Sequence, residues 1–274
     1  MEERIGHLSP KSIPGRLMRI DVNAFVGAYP WRRLPGTSPA HLIQAMDRVG
    51  ITDAWVSHLP GLWWKDPTEG NDWLYETAVA HPRLKPVPTV HPSLPHWEEV
   101  LAEAATRGAP AVRCDPQFLG LAPTGHEMRV LAATCGSAGV PLLMSVRLED
   151  LRQRHPLDTA PDLPASAVRA LIRADAELRL IVTHADRAFI EEVHFGSTPA
   201  EAERLWWDLS WIWGPPEDHL ATLLSNLGPS RFLFGTGQPL RIPEHSVAKL
   251  DLLDLTADAR SAIEAGNARR VVAG

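Results

Sequence analysis

The sequence predicts an α/β fold of the (β/α)8 TIM-barrel class, and three observations carry that expectation. Short apolar runs of strand length alternate with helix-like segments along the chain, as a parallel sheet covered by helices requires. The runs number eight, the count at which such a sheet closes on itself. The chain's 274 residues suit this barrel, whose active sites lie at the C-terminal ends of the strands. An open doubly wound sheet is the alternative, but no run leads into a Gly-x-Gly-x-x-Gly turn. The nearest approach, FGTGQP at 234–239, puts proline where a phosphate-binding helix would begin.

Taken in order, RIDVNAFVG (19–27) is the first strand and opens into a glycine turn. PAHLIQAMDRVG (39–50) follows as a helix, with Pro at its start and Gly at its end. DAWVSHL (53–59) and KPVPTVH (85–91) are the second and third strands, and HLPGLWWKDPTEGNDW (58–73) after the second reads as a tryptophan-rich loop. PHWEEVLAEAATRG (95–108) is a helix, AVRCDPQ (111–117) the fourth strand, and HEMRVLAATCGSAG (126–139) the next helix. PLLMSVR (141–147), RLIVTHA (179–185), LWWDLSW (205–211) and RFLFGTG (231–237) complete the strands, with PASAVRALIRADA (164–176) as the helix after the fifth. A second aromatic loop, DLSWIWGPPEDH (208–219), follows the seventh. Repeats, low-complexity tracts and linkers are absent, so one domain over 1–274 is expected, residues 1–18 forming an N-terminal extension.

Composition narrows the function classes. Hydrophobic residues are 45% and charged residues 22%, near the soluble globular average. Apolar runs stay well short of a membrane span, and the acidic start MEERIGHL lacks a secretory h-region, so a cytoplasmic protein is expected. A net charge of −6, with the basic residues scattered, argues against nucleic acid as a partner and leaves small molecules. Cys114 and Cys135 make no Cys-x-x-Cys pair and read as buried thiols. A tryptophan-rich, apolar chain of this size is compatible with a homodimer.

Strand alternation sorts the polar residues by direction. Asp21, Asn23 and Phe25 share a parity in the first strand, Arg113 and Asp115 in the fourth, Ser145 and Arg147 in the fifth. His58, His91 and His184 close the second, third and sixth strands, and Asp208 lies in the seventh. Any one of these could be an ion-paired or hydrogen-bonded structural group, whereas their convergence on one rim is what catalysis requires.

In RIDVNAFVG, AGVPLLMSV, ELRLIVTHA, LGPSRFLFGTGQP and IEAGNARRVV the chain resembles the amidohydrolase superfamily, in its amidohydrolase-related branch of small-molecule hydrolases and decarboxylases, from Arg19 to Val272. The resemblance implies a divalent metal held by two first-strand histidines, one histidine each from the fifth and sixth strands, and an eighth-strand aspartate. Carried across, those positions are Asn23 and Phe25, Ser145, His184 and Gly237, and only His184 matches. Phe25 and Gly237 offer no donor atom, so the usual metal is not expected.

The expected chemistry is therefore hydrolysis or carbon–carbon cleavage of a small anionic, aromatic-type substrate with no metal or other cofactor. Arg113 and Arg147 would clamp the anion together, His184 would act as general acid or base, and Asp115 or Asp208 would orient it. Asn23, His58, His91, Ser145, Asp208 and Trp64 are the expected substrate-binding residues. The alternatives are a barrel that has lost catalysis and binds a ligand or partner, and a relocated metal centre formed by His58, His91 and Asp115.

Overall fold

The structure, a computed structural model, describes residues 18–274, so the expected N-terminal extension lies, except for Met18, outside the described residues. The strands are β1 (Ile20–Val26), β2 (Asp53–His58), β3 (Leu84–Pro86), β4 (Val112–Arg113), β5 (Leu142–Ser145), β6 (Leu180–Thr183), β7 (Leu205–Asp208) and β8 (Phe232–Leu233). All paired strands are parallel, in the orders β1-β2-β3 and β4-β5-β6-β7-β8. Single bridges close both seams. Thr89 pairs with Arg113 between β3 and β4, and Ala24 with Gln238 between the ends of β8 and β1. The result is the closed eight-stranded barrel that the alternation pattern predicts.

The helices are α1 (Pro39–Val49), α2 (Thr68–Ala80), α3 (Trp97–Thr106), α4 (His126–Ala138), α5 (Ala165–Ala174), α6 (Arg187–Phe195), α7 (Pro199–Ala202), α8 (His219–Leu227), α9 (Glu244–Asp251), α10 (Ala257–Ser261) and α11 (Asn267–Ala273). Their ends follow local chemistry: Ser38 accepts from the His41 N–H at the start of α1, and Gly50 ends that helix at φ 72°, in the left-handed region open to glycine. The second half of the expected loop 58–73 is helical, because α2 begins at Thr68. Among the described residues no helix is long and apolar enough to cross a membrane.

Side-chain alternation builds the barrel in layers. Val22, Trp55, Leu143, Ile181, Trp206 and Leu233 point inward at the base, where Ala265, Ala268 and Val271 of the C-terminal segment plug the floor. Val56, Met144, Val182 and Trp207 point outward into the shell of helices. At the opposite end Phe25, Tyr29, Leu34, Leu59, Leu62 and Leu148 form a separate apolar cluster drawn from β1 and the loops above it. That cluster covers the β1–β2 side of the mouth, burying apolar area that an open barrel would leave in water.

The β1 register departs from simple alternation. An irregularity between Asp21 and Ala24 separates Asp21 from the parity of Asn23 and Phe25, which corrects the expectation that the three point together. Asp21 turns to the β8 seam and accepts hydrogen bonds from the backbone N–H groups of Asn23 (3.1 Å) and Thr236 (3.0 Å), the Thr236 hydroxyl (2.6 Å) and Gln238 Nε2 (3.2 Å). Burial pushes its carboxyl up to about 6, with those donors opposing. This carboxylate fastens the last strand to the first. Asp21→Ala strands buried donors and is expected to lower unfolding stability by roughly 3 kcal/mol, read as a fall in urea midpoint; an unchanged midpoint would show that the seam does not depend on it.

Candidate functional site

Eight polar side chains from six strands meet at the barrel axis. Arg113 is the hub and is only 1% exposed. Its Nε donates to Ser57 Oγ (2.9 Å), Nη1 to Ser145 Oγ (2.6 Å) and Asp115 Oδ2 (3.2 Å), and Nη2 to Asn23 Oδ1 (3.0 Å). The Phe25 ring lies 4.7 Å from the guanidinium carbon and closes its remaining face. Burial pushes Asp115 up and Arg113 down, and each charge opposes the other's shift. Asp115 also accepts from the Ser145 N–H, and Ser145 Oγ meets Thr183 Oγ1 at 3.0 Å.

This hub fixes what lies beyond it. With Asn23 Oδ1 committed to Arg113, the amide nitrogen faces Asp208 Oδ2 (3.0 Å) and His184 Nε2 (3.1 Å). Nε2 therefore accepts, which leaves the imidazole proton on Nδ1, a nitrogen without a hydrogen-bond partner among the described residues. His184 follows Thr183, whose side chain points inward, so alternation alone would send the imidazole outward. A left-handed backbone at φ 56° turns it back to the axis. Burial, then the charges of Arg241, Arg113 and Arg147, hold this histidine well below its ordinary value and hence neutral. Asp208 Oδ1 takes the His184 N–H at 2.9 Å, and a Cβ at Gly235 would come within 2.6 Å of Asp208 Oδ2.

A divalent metal does not fit these residues. Asn23 Oδ1 and Ser145 Oγ already accept from a guanidinium, His184 Nε2 accepts from an amide, and Phe25 and Gly237 bring no donor. A second cation there would meet the Arg113 charge at close range. Among the described residues no group of three or more His, Cys, Asp and Glu side chains is placed to hold a metal ion, which also removes the relocated centre expected of His58, His91 and Asp115.

Those three residues point apart. Ser57 takes the inward direction, so His58 packs outward, edge-on to Trp64 at 4.9 Å and beside Trp73 at 5.2 Å. Gly61 and Gly70 make room for its ring, and burial lowers it to about 4. His91 stands half-buried at the loop after β3 near Asp66, and Trp64 belongs to the β2 loop. Asp115 joins the axial network, whereas His58, His91 and Trp64 do not reach it. Arg147 does not share a clamp with Arg113 either: its Nη1 donates to Asp186 (2.8 Å) and its Nε lies 2.8 Å from Asp162.

The axial network is closed, with Asn23, Arg113, Ser145, His184 and Asp208 all at 0 to 1% exposure. Open space lies beside it. A cavity of about 490 Å³ above the ends of β5 to β8 is lined by Arg147, Asp186, Ser210, Trp211, Trp213, Arg241, His245 and Lys249, with Asp150 and Arg152 at its edge. Trp211 is the partition: its ring is edge-on to His184 at 5.9 Å, and the Arg241 and Arg147 guanidinium carbons lie 3.8 Å and 5.5 Å from its centre. Arg152 is paired with Asp150, and Arg147 with Asp186 and Asp162. Arg241 has no ion pair and no side-chain hydrogen bond among the described residues. Lys249 Nζ donates to the Leu209 carbonyl at 2.7 Å; burial and then Arg241 lower it to about 7, against the pull of Asp208. His245 falls to about 4 through burial and the Lys249 charge.

Of the cavity's lining, the sequence singles out Arg147 and the aromatic loop that carries Trp211 and Trp213, and Arg241, His245 and Lys249 were missed. The signal was available: His245 and Lys249 stand four residues apart on α9, hence on one face, in the helix that follows the eighth strand.

The amidohydrolase family profile matches residues 7–273. Among solved structures, a 2,6-dihydroxybenzoate decarboxylase complexed with 2,6-dihydroxybenzoate has TM-score 0.70 and 16% identity over 93% of this chain and 99% of its own. The 5-carboxyvanillate decarboxylase of Sphingomonas paucimobilis has TM-score 0.70 and 15% identity, over 94% and 99%. A dihydroxybenzoic acid decarboxylase of Polaromonas, with bound manganese and the inhibitor 2-nitroresorcinol, has TM-score 0.70 and 14% identity, over 93% and 97%. At such identities the likeness is one of fold. No curated protein matches the chain.

Arg113→Met removes the hub cation and leaves Asp115 buried without its partner, with an expected stability loss of roughly 3–5 kcal/mol. Arg113→Lys is expected to rescue little, since one ammonium cannot span Ser57, Asn23 and Ser145. Denaturant unfolding of both variants checks this, and near-native stability of Arg113→Met would contradict the role given to the guanidinium.

Proposed function

The chain belongs to the amidohydrolase family, and on that footing we propose that it takes a small aromatic carboxylate into the cavity above β5 to β8 and cleaves it, by hydrolysis or at a carbon–carbon bond, without a divalent metal. The observation that carries this reading is Arg241: a largely buried guanidinium stacked on Trp211 that has no anion of its own. A carboxylate would receive paired N–H donors from it, and Arg147 stands across the same indole to share the charge. Trp211 and Trp213 offer flat apolar walls for a ring, and the volume suits a small aromatic acid. The decarboxylation of aromatic acids named for the structurally similar proteins agrees with this substrate class.

The chain's own groups supply the proton handling. Lys249 exchanges a proton near neutral pH and faces the cavity, so it is the group placed to protonate a carbanion or to activate water. His184 and Asp208 stand one layer behind Trp211 and Ser210, where they support the cavity wall. Arg113 and Asp115 maintain the axis in place of a metal. Fixed cations in a poorly hydrated cavity stabilise developing negative charge strongly, which is the work a metal would otherwise do.

A second reading, binding without turnover, draws on the closure of the axial network, since the family's one matching ligand position, His184, is sealed. One experiment serves both. Benzoate or 2,6-dihydroxybenzoate at a hundred times Kd is expected to raise Tm by roughly 5–10 °C, benzyl alcohol is expected to do little, and Arg241→Met is expected to abolish the response. An equal response in that variant would overturn the binding site. Product analysis on the ligands that bind then separates turnover from binding alone.

A further inference from the structure

We propose that Lys249 is a covalent site for carbonyl compounds: its amine condenses with the aldehyde or ketone group of an aromatic acid seated in the cavity and forms an imine. This rests on the cavity's holding an aromatic acid, and it narrows the substrate class to acids that also bear a carbonyl group.

The geometry prepares the amine in three respects. Lys249 lines the cavity from α9, and its stem passes Gly214, where a Cβ would come within 2.8 Å of Lys249 Cγ. Any larger residue at that position would press on the path the side chain takes. Nζ is anchored by one hydrogen bond to the Leu209 carbonyl, and no carboxylate is within ion-pairing distance among the described residues. The neighbouring charged and titratable groups are Arg241 and His245 on the cavity side and Asp208 behind Ser210. A lysine desolvated beside another cation keeps a share of free amine near neutral pH, which is the condition for nucleophilic attack on a carbonyl.

The step balances within the cavity. The amine lone pair bonds to the carbonyl carbon, the carbonyl π pair moves to oxygen, and that oxygen takes a proton released from the nitrogen. Loss of water then leaves a carbon–nitrogen double bond. Arg241 would hold the acid group and Trp211 the ring, so that the carbonyl carbon is presented to Nζ.

The sequence makes the inference easy to test, because the chain has only four lysines, Lys11, Lys65, Lys85 and Lys249. Lys65 is exposed, and Lys85 lies 3.6 Å from Asp53 and donates to the Pro82 carbonyl. The full chain is incubated with 4-carboxybenzaldehyde and cyanoborohydride, which reduces any imine to a stable amine, then weighed intact and mapped by peptide mass. The expected result is one adduct per chain, at Lys249, lost in Lys249→Arg and lowered about tenfold or more in Arg241→Met. Adducts spread over Lys65, Lys85 and the N-terminus with none favoured at Lys249 would overturn the proposal, and the mapping on the unaltered chain needs no variant to fold. Lack of any adduct while the same aldehyde raises Tm would overturn the imine and leave the cavity reading standing. Lack of both would remove the two together.

Discussion

A guanidinium placed on the axis of a closed barrel has to be paired on every side, and that requirement organises the centre of this protein. Arg113 draws Ser57, Asn23, Ser145 and Asp115 from four different strands, and Phe25 covers it from above. Unpaired, it would cost several kcal/mol to bury; paired, it ties together strands that are otherwise joined only by short ladders. The choice of partners propagates outward. Because Asn23 gives its oxygen to Arg113, its nitrogen must face Asp208 and His184, and His184 must take up a left-handed backbone to meet it.

The same hub explains why open volume is found to one side. An amidohydrolase barrel whose axis is filled by a protein cation, with an apolar cluster over the β1–β2 side of its mouth, leaves room beside the axis where the loops after β5, β7 and β8 part. The cavity there inherits a wall from the axis through Trp211 and a floor from Ser210, and it brings cations of its own. Three of these differ in status: Arg147 is neutralised by Asp186 and Asp162, Lys249 is anchored to a carbonyl, and Arg241 has only the indole face. On the proposed reading, binding strength concentrates on Arg241 for that reason.

Most of the barrel could be read from the chain because eight apolar runs with a period of two have few ways to close. Parity also placed Arg113 and Ser145 correctly relative to the axis, since both lie in regular strands. It misplaced Asp21, where a register irregularity intervenes; His58 was assigned to the rim from its place at the strand's end, and there Ser57 holds the inward direction. His184 reaches the axis only through a positive φ that no pattern of hydrophobicity encodes. Nor could the sequence tell that Arg113 spends its donors on protein groups, because its partners lie 32 to 90 residues away except for Asp115. The cavity was overlooked because its key cations sit after β8, beyond the strand ends on which the reading concentrated, although the four-residue spacing of His245 and Lys249 was visible.

On the proposed reading Arg113 takes the place a metal would occupy in this scaffold, and anomalous diffraction tests this directly. Crystals of the unaltered protein soaked in manganese or zinc, with data collected on each side of the metal's absorption edge, are predicted to show guanidinium density bonded to Asn23 and Ser145 and no anomalous peak among Asn23, Ser145 and His184. A strong peak there, with Arg113 displaced from the axis, would contradict the account.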